Sequence, residues 1–206
     1  MTVTTAAENT DAPPVTEAAQ QALDQLDSLE VKGRAPKTAY SRDAFGQRWS
    51  DDVEVELGHN GCDTRNDILR TQLTNVILKP GTRDCVVLSG TLVSPYSGNT
   101  VEFQRGNDTS PLVQIDHVVA LADAWQSGAF QWDDDTRRNF ANDPRNLRAV
   151  EGRFNQQKGA SNAASWVPPT NRCQYAIDQV SVKAAYHLWV TAPEKKALIR
   201  YLEECS

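Results

Sequence analysis

Residues 111–125, "PLVQIDHVVALADAW", set Asp116 and His117 side by side at the end of an apolar run. In a regular strand, neighbouring side chains point to opposite faces. The pair serves one site if the strand stops there and the irregular loop beyond frees one of the two side chains. The reading is therefore a strand over 112–115 that closes at Asp-His. Downstream, residues 146–159, "NLRAVEGRFNQQKG", supply a second short strand opened by Asn146, then a short helix stopped by Gly159.

Around this centre the pattern is α+β. Residues 1–15, rich in Thr, Ala, Asn, Asp and Pro, read as a disordered leader or linker, and residues 16–206 as one domain. A first helix over 16–30 is capped by Thr16 and turns Ala22, Leu23, Leu26 and Leu29 to one side. "CDTRNDILRTQL" is a helix led by Asp63, and "CVVLSGTLVSPYSGNTVEF" is a hairpin around a Pro/Gly/Asn turn. "VALADAWQSGAFQW" and "DDDTRRNFAND" form short helices, and two more follow a Pro-Pro loop. The last opens on "TAPE", with Thr191 and Glu194 at capping-box spacing. The result is a small antiparallel sheet among several helices.

The formal net charge of -6 argues against a nucleic-acid binder until its distribution is read. Residues 1–31 carry six acids and no Lys or Arg. Residues 32–48 hold five bases against Asp43, and residues 137–172 hold seven against Asp143 and Glu151. Two basic segments in an acidic chain suit a local phosphate-facing surface, or an ordinary solvated one. No apolar run approaches the roughly 18 residues of a membrane span.

The four cysteines allow two disulfides in three connectivities. Cys62–Cys85 and Cys173–Cys205 each bracket one supersecondary unit and are the expected pairs. A zinc site using His59 and Cys62 is the rival, weakened by the lack of a close Cys pair. Paired cystines imply an oxidising compartment, secreted or in the cell envelope. The chain shows no basic, apolar leader after Met1, which suits a mature exported protein carrying an added initiator Met.

"QIDHVVAL", "NLRAV" and "NQQKG" together resemble the HNH, or His-Me finger, endonuclease superfamily. Asn155 stands at the last position, as in the HNH domains of RNA-guided nucleases. The longer run from "YSRDAFG" through "GCDTRNDIL", "LSGTLVSPYSG" and "IDHVVALADAW" to "NQQKG" resembles secreted bacterial HNH-family proteins related to the C-terminal part of GmrSD-type restriction enzymes. The likeness covers about residues 20–204 and leaves no room for the nucleotide-hydrolysing half of such enzymes.

This resemblance implies a ββα-metal core over about 112–160. Asp116 and Asn155 would hold Mg²⁺ or Mn²⁺, whose hard-oxygen preference they meet. His117 would be the general base, and Asn146 would tie the strands together and orient its ring. Lys158, Arg148 and Arg153 are the expected phosphate contacts. The implied function is metal-dependent, weakly sequence-specific cleavage of DNA, with RNA as a second substrate. Two alternatives stand beside it: a catalytically silent nucleic-acid-binding or envelope protein, and a secreted antibacterial toxin with an inhibitor protein as partner. His59 and His187 receive no catalytic role, and the five tryptophans are read as core.

Overall fold

The computed structural model describes residues 15–205; the leader expected over 1–15 falls almost wholly outside them. Helix α1 (Glu17–Ser28) starts where expected, because the Thr16 hydroxyl accepts the Ala19 amide. Helix α2 (Thr64–Gln72) is capped by Asp63, which accepts the Asn66 amide at 2.9 Å. Ile68, Leu69 and Leu73 of this segment are buried.

Strands β1 (Thr74–Leu78), β2 (Val87–Val93) and β3 (Thr100–Gln104) form one antiparallel sheet in that order. The expected hairpin is β2–β3. Strand β1 went unread because its pairing with β2 is irregular, with register shifts on both sides of Ile77, and its exposed residues break simple alternation. The second sheet is a two-stranded antiparallel ribbon of β4 (Val113–His117) and β5 (Leu147–Glu151).

Helix α2 lies between the two sheets. Ile68, Leu69 and Leu73 join Val87, Leu92 and Phe103 of the first sheet and Ile115, Leu147 and Ala149 of the ribbon in one buried cluster. Helix α3 (Leu121–Gln126) and helix α4 (Asp134–Asn142, capped by Asp133) fill the connection between β4 and β5. Around Trp125 and Phe140 they build a second cluster with Phe45. Helix α5 (Gly152–Lys158) follows β5 directly and ends at Gly159, whose φ of 53° is left-handed.

Helices α6 (Arg172–Ala185) and α7 (Ala192–Glu203) pack with α1 over the opposite face of the ribbon, against Val118 and Val150. The Thr191–Glu194 capping box is formed. A buried charge cluster joins α6 to α3 and α7, with Lys183 Nζ 2.9 Å from Asp123 and 2.6 Å from Glu194. Both expected disulfides are present, Cys62–Cys85 and Cys173–Cys205, which removes the zinc alternative for Cys62. Among the described residues no helix is long and apolar enough to cross a membrane.

Candidate active site

The order β4–(α3, α4)–β5–α5 gives a strand, a strand and a helix folded on one another. The strand ends at His117, as the sequence suggests, but it takes in the Asp-His pair instead of releasing it into a loop. The ladder continues through it, with Asp116 opposite Arg148 and His117 opposite Leu147. Alternation therefore holds, and the two side chains leave opposite faces of the ribbon. Both still border one cleft of about 620 Å³, together with Asn155 and Gln114.

Asp116 shares its face with Gln114 and meets α5. Its Oδ1 accepts Lys158 Nζ at 3.0 Å and its Oδ2 accepts the Tyr96 hydroxyl at 2.5 Å. Lys158 also donates to the His117 carbonyl at 2.7 Å. Burial, with the Asp116 charge beside it, pushes the Tyr96 phenol well above its usual range, so it stays a donor. Asn155 Nδ2 donates to Gln114 Oε1 at 2.8 Å, and its own Oδ1 meets no donor among the described residues.

His117 lies on the other face. Trp49 stacks on its ring, with centroids 5.9 Å apart and planes 9° from parallel. Trp49 itself has a left-handed φ of 56°, an unusual conformation for a bulky residue and one that clusters at functional sites. The His117 Nε2 lies 2.8 Å from the Ala141 carbonyl. A carbonyl only accepts, so Nε2 carries the hydrogen and Nδ1 keeps the lone pair. Burial first, then the positive charges of Arg42, Lys158 and Arg48, lowers the His117 pKa to about 3 against the opposing Ala141 bond. The ring is neutral throughout the ordinary pH range.

Asn146 is fully buried and holds the chain just past the pair. The Val119 amide donates to its Oδ1 at 2.8 Å, and its Nδ2 donates to the Val119 carbonyl at 3.3 Å. Among the described residues it makes no hydrogen bond to the His117 ring, which is held by the Ala141 carbonyl and Trp49. Lys158 is only 1% exposed, which leaves Asp116, rather than a phosphate, as its partner.

The two expected phosphate contacts on and after β5 do not reach the cleft. Arg148 pairs with Asp178 of α6 at 2.7 Å and donates to three backbone carbonyls. Arg153 pairs with Glu151 at 3.0 Å and covers the Phe154 ring. The bases that line the cleft are instead Arg42, Arg48 and Arg65. The first two lie in the basic segment 32–48, which was a usable signal. The sequence reading gives Arg65 a capping or ion-pair role at the start of α2 ahead of a functional one, and among the described residues it has no ion pair. Trp49 packs, half-buried, against the cluster around α2, as the core reading has it, and also lines the cleft.

Among the described residues no group of three or more His, Cys, Asp or Glu is placed to hold a metal. What the cleft offers is a carboxylate and a free amide oxygen. The two Asp116 oxygens each take one donor, and a carboxylate has about four acceptor sites. That donor set fits a hard divalent cation keeping most of its waters, with Lys158 as its competitor for Asp116.

The chain has a counterpart in a known family. The model of the GmrSD restriction endonuclease C-terminal domain matches residues 63–201, and the chain belongs to that family. The chain is also similar to an uncharacterized secreted protein of the fungus Arthroderma benhamiae (strain ATCC MYA-4681 / CBS 112371). They are 38% identical over 197 residues, covering 94% of this chain and 89% of the relative. The sequence motifs resemble those of secreted bacterial proteins; this relative is fungal. No solved structure matches the chain.

Proposed function

We propose that the protein is a secreted nuclease that hydrolyses phosphodiester bonds of DNA, and of RNA as a second substrate, with His117 as general base. The observation that carries this reading is the Ala141 bond, which leaves the His117 Nδ1 lone pair as the ring's basic atom beside the cleft. Family membership supports the nuclease class, and the two disulfides with the secreted relative support an extracellular location.

In this reading Nδ1 takes a proton from a water, and the hydroxyl oxygen attacks phosphorus in line with the departing 3′ oxygen, leaving a 5′-phosphate end. His117 needs no prior deprotonation, because burial already keeps it neutral. Trp49 and the Ala141 carbonyl fix the ring, so little reorientation is needed as the proton moves. Asp116 and Asn155 would hold Mg²⁺, or Mn²⁺. Such a cation supplies charge stabilisation at the phosphoryl and leaving oxygens. Asn146, by gripping Val119, fixes the backbone that follows the base.

Incubation with supercoiled plasmid and with RNA tests this. Cleavage is expected with Mg²⁺ or Mn²⁺, to cease with EDTA, and to vanish in His117→Ala. Undiminished cleavage by that variant would remove His117 from the chemistry. The Lys158–Asp116 pair favours one second reading, a nucleic-acid-binding protein whose acid is permanently occupied. It would show salt-sensitive binding and no product under any divalent cation.

A further inference from the structure

The protein has 27 acids for 21 Lys and Arg, so carboxylate partners are not scarce. Eleven of those bases are ion-paired, including Arg148, Arg153 and the wholly buried Lys158 and Lys183. Arg42, Arg48 and Arg65 all line the cleft of Asp116, His117 and Asn155. Among the described residues none of the three has an ion pair or a hydrogen-bond acceptor. Asp63 acts on the Arg65 charge, but its two oxygens are bonded to the Asn66 amide and side chain and neither is paired with Arg65.

Arg42 and Arg48 border a small hollow together with Trp49 and His117, so they lie on the imidazole side. Arg65 lies over the Phe103 ring of β3, 5.8 Å from its centroid, on the side of the first sheet. Uncompensated guanidinium groups in a concave, partly desolvated place repel one another, and a polyanion relieves that repulsion.

We infer that Arg42, Arg48 and Arg65 form a phosphate cradle that engages several backbone phosphates of a polynucleotide strand beside the scissile one. This deepens the nuclease reading and rests on it for the scissile position only. A single phosphodiester would fill the centre and leave the outlying guanidiniums empty. A strand of several nucleotides satisfies them together.

The test is binding by the full chain in EDTA, without cleavage, of fluorescent oligothymidylates two and twelve residues long across a salt series. Wild type should prefer the twelve-mer strongly. Arg42→Gln, Arg48→Gln and Arg65→Gln should each weaken it about tenfold. Each should also lower the slope of log affinity against log salt by about 0.7. Arg65→Lys keeps the charge and should keep the slope, separating electrostatics from any packing loss at this half-buried position. With Mg²⁺ present, the Gln variants should lose more rate on the twelve-mer than on bis(4-nitrophenyl) phosphate, which has one phosphate. Unchanged slopes in all three variants, or equal affinity for the two oligomers, overturns the cradle even if plasmid is cleaved. Binding with the expected slopes but no cleavage would sink the nuclease reading and leave the cradle standing.

Discussion

Lys158 Nζ sits 3.0 Å from Asp116 Oδ1 and 2.7 Å from the His117 carbonyl, so one ammonium grips the acid and the backbone of the base together. The lysine reaches them from the last residue of α5, one strand and 42 positions away in sequence. Both charged groups are out of water, which makes the pair costly to break from either side.

Lys158→Met should lower stability by about 3–5 kcal/mol, because it leaves the Asp116 carboxylate buried without its cation. Urea unfolding checks this. A loss below 1 kcal/mol would mean that water or Tyr96 alone satisfies the acid.

His117→Ala should reduce cleavage by about 10²–10⁴-fold, the range of positioned proton transfer. Circular dichroism of the variant should stay native, because the ladder residues around it are unchanged. Single-turnover cleavage of plasmid measures the loss.

Stability should fall as pH falls from 6.5 towards 3. The unfolded chain takes up a proton at position 117 near pH 6.5, whereas burial keeps the folded ring neutral to about 3. In that window the unfolded state binds more protons, so acid favours unfolding, by at most about 1.4 kcal/mol per pH unit from this group. Above pH 6.5 its contribution is complete. Comparing urea midpoints at pH 7 and pH 5 for wild type and His117→Gln isolates the effect; the variant should show the smaller drop.

Gly152→Ala should perturb the site from a distance. An added Cβ would meet the Pro111 carbonyl at 2.2 Å and Gln114 Nε2 at 2.8 Å, and Gln114 is the partner that turns Asn155. A loss of about 1–3 kcal/mol is expected from the overpacking. Weakened Mn²⁺ binding, read by electron paramagnetic resonance of the free ion, should accompany it.

Replacing Cys173 and Cys205 by Ser should cost about 3 kcal/mol, because the bridge closes a span of 32 residues between the start of α6 and the chain end. Guanidinium unfolding of the double variant measures it. Plasmid cleavage below the transition should persist, since neither cysteine lines the cleft.

Where local chemistry decides structure, the sequence was legible. Thr16, Asp63 and Thr191 mark helix starts through their own side chains, and Gly159 marks a stop. Both cystines followed from the units they bracket. The strand–strand–helix order and the residues Asp116, His117 and Asn155 at one cleft were also readable. The partners of the long basic side chains were not. Arg148 lies directly across from Asp116, yet an acid on α6, 30 positions later, claims it. Arg42 and Arg48 reach the cleft only because the segment before α2 folds back beneath His117, a tertiary event without local signature. The continuation of β4 through the Asp-His pair was hidden for a similar reason: its partner Leu147 lies 30 residues on.

That continuous ladder has a practical consequence. Because acid and imidazole project to opposite sides, they answer to separate sets of neighbours. Tyr96 and Lys158 govern the one; Trp49 and Ala141 govern the other. Substitution at Tyr96 or at Trp49 can therefore retune one group at a time, Lys158 being the neighbour the two share, whereas sliding β4 by a single residue would exchange their surroundings and lose both.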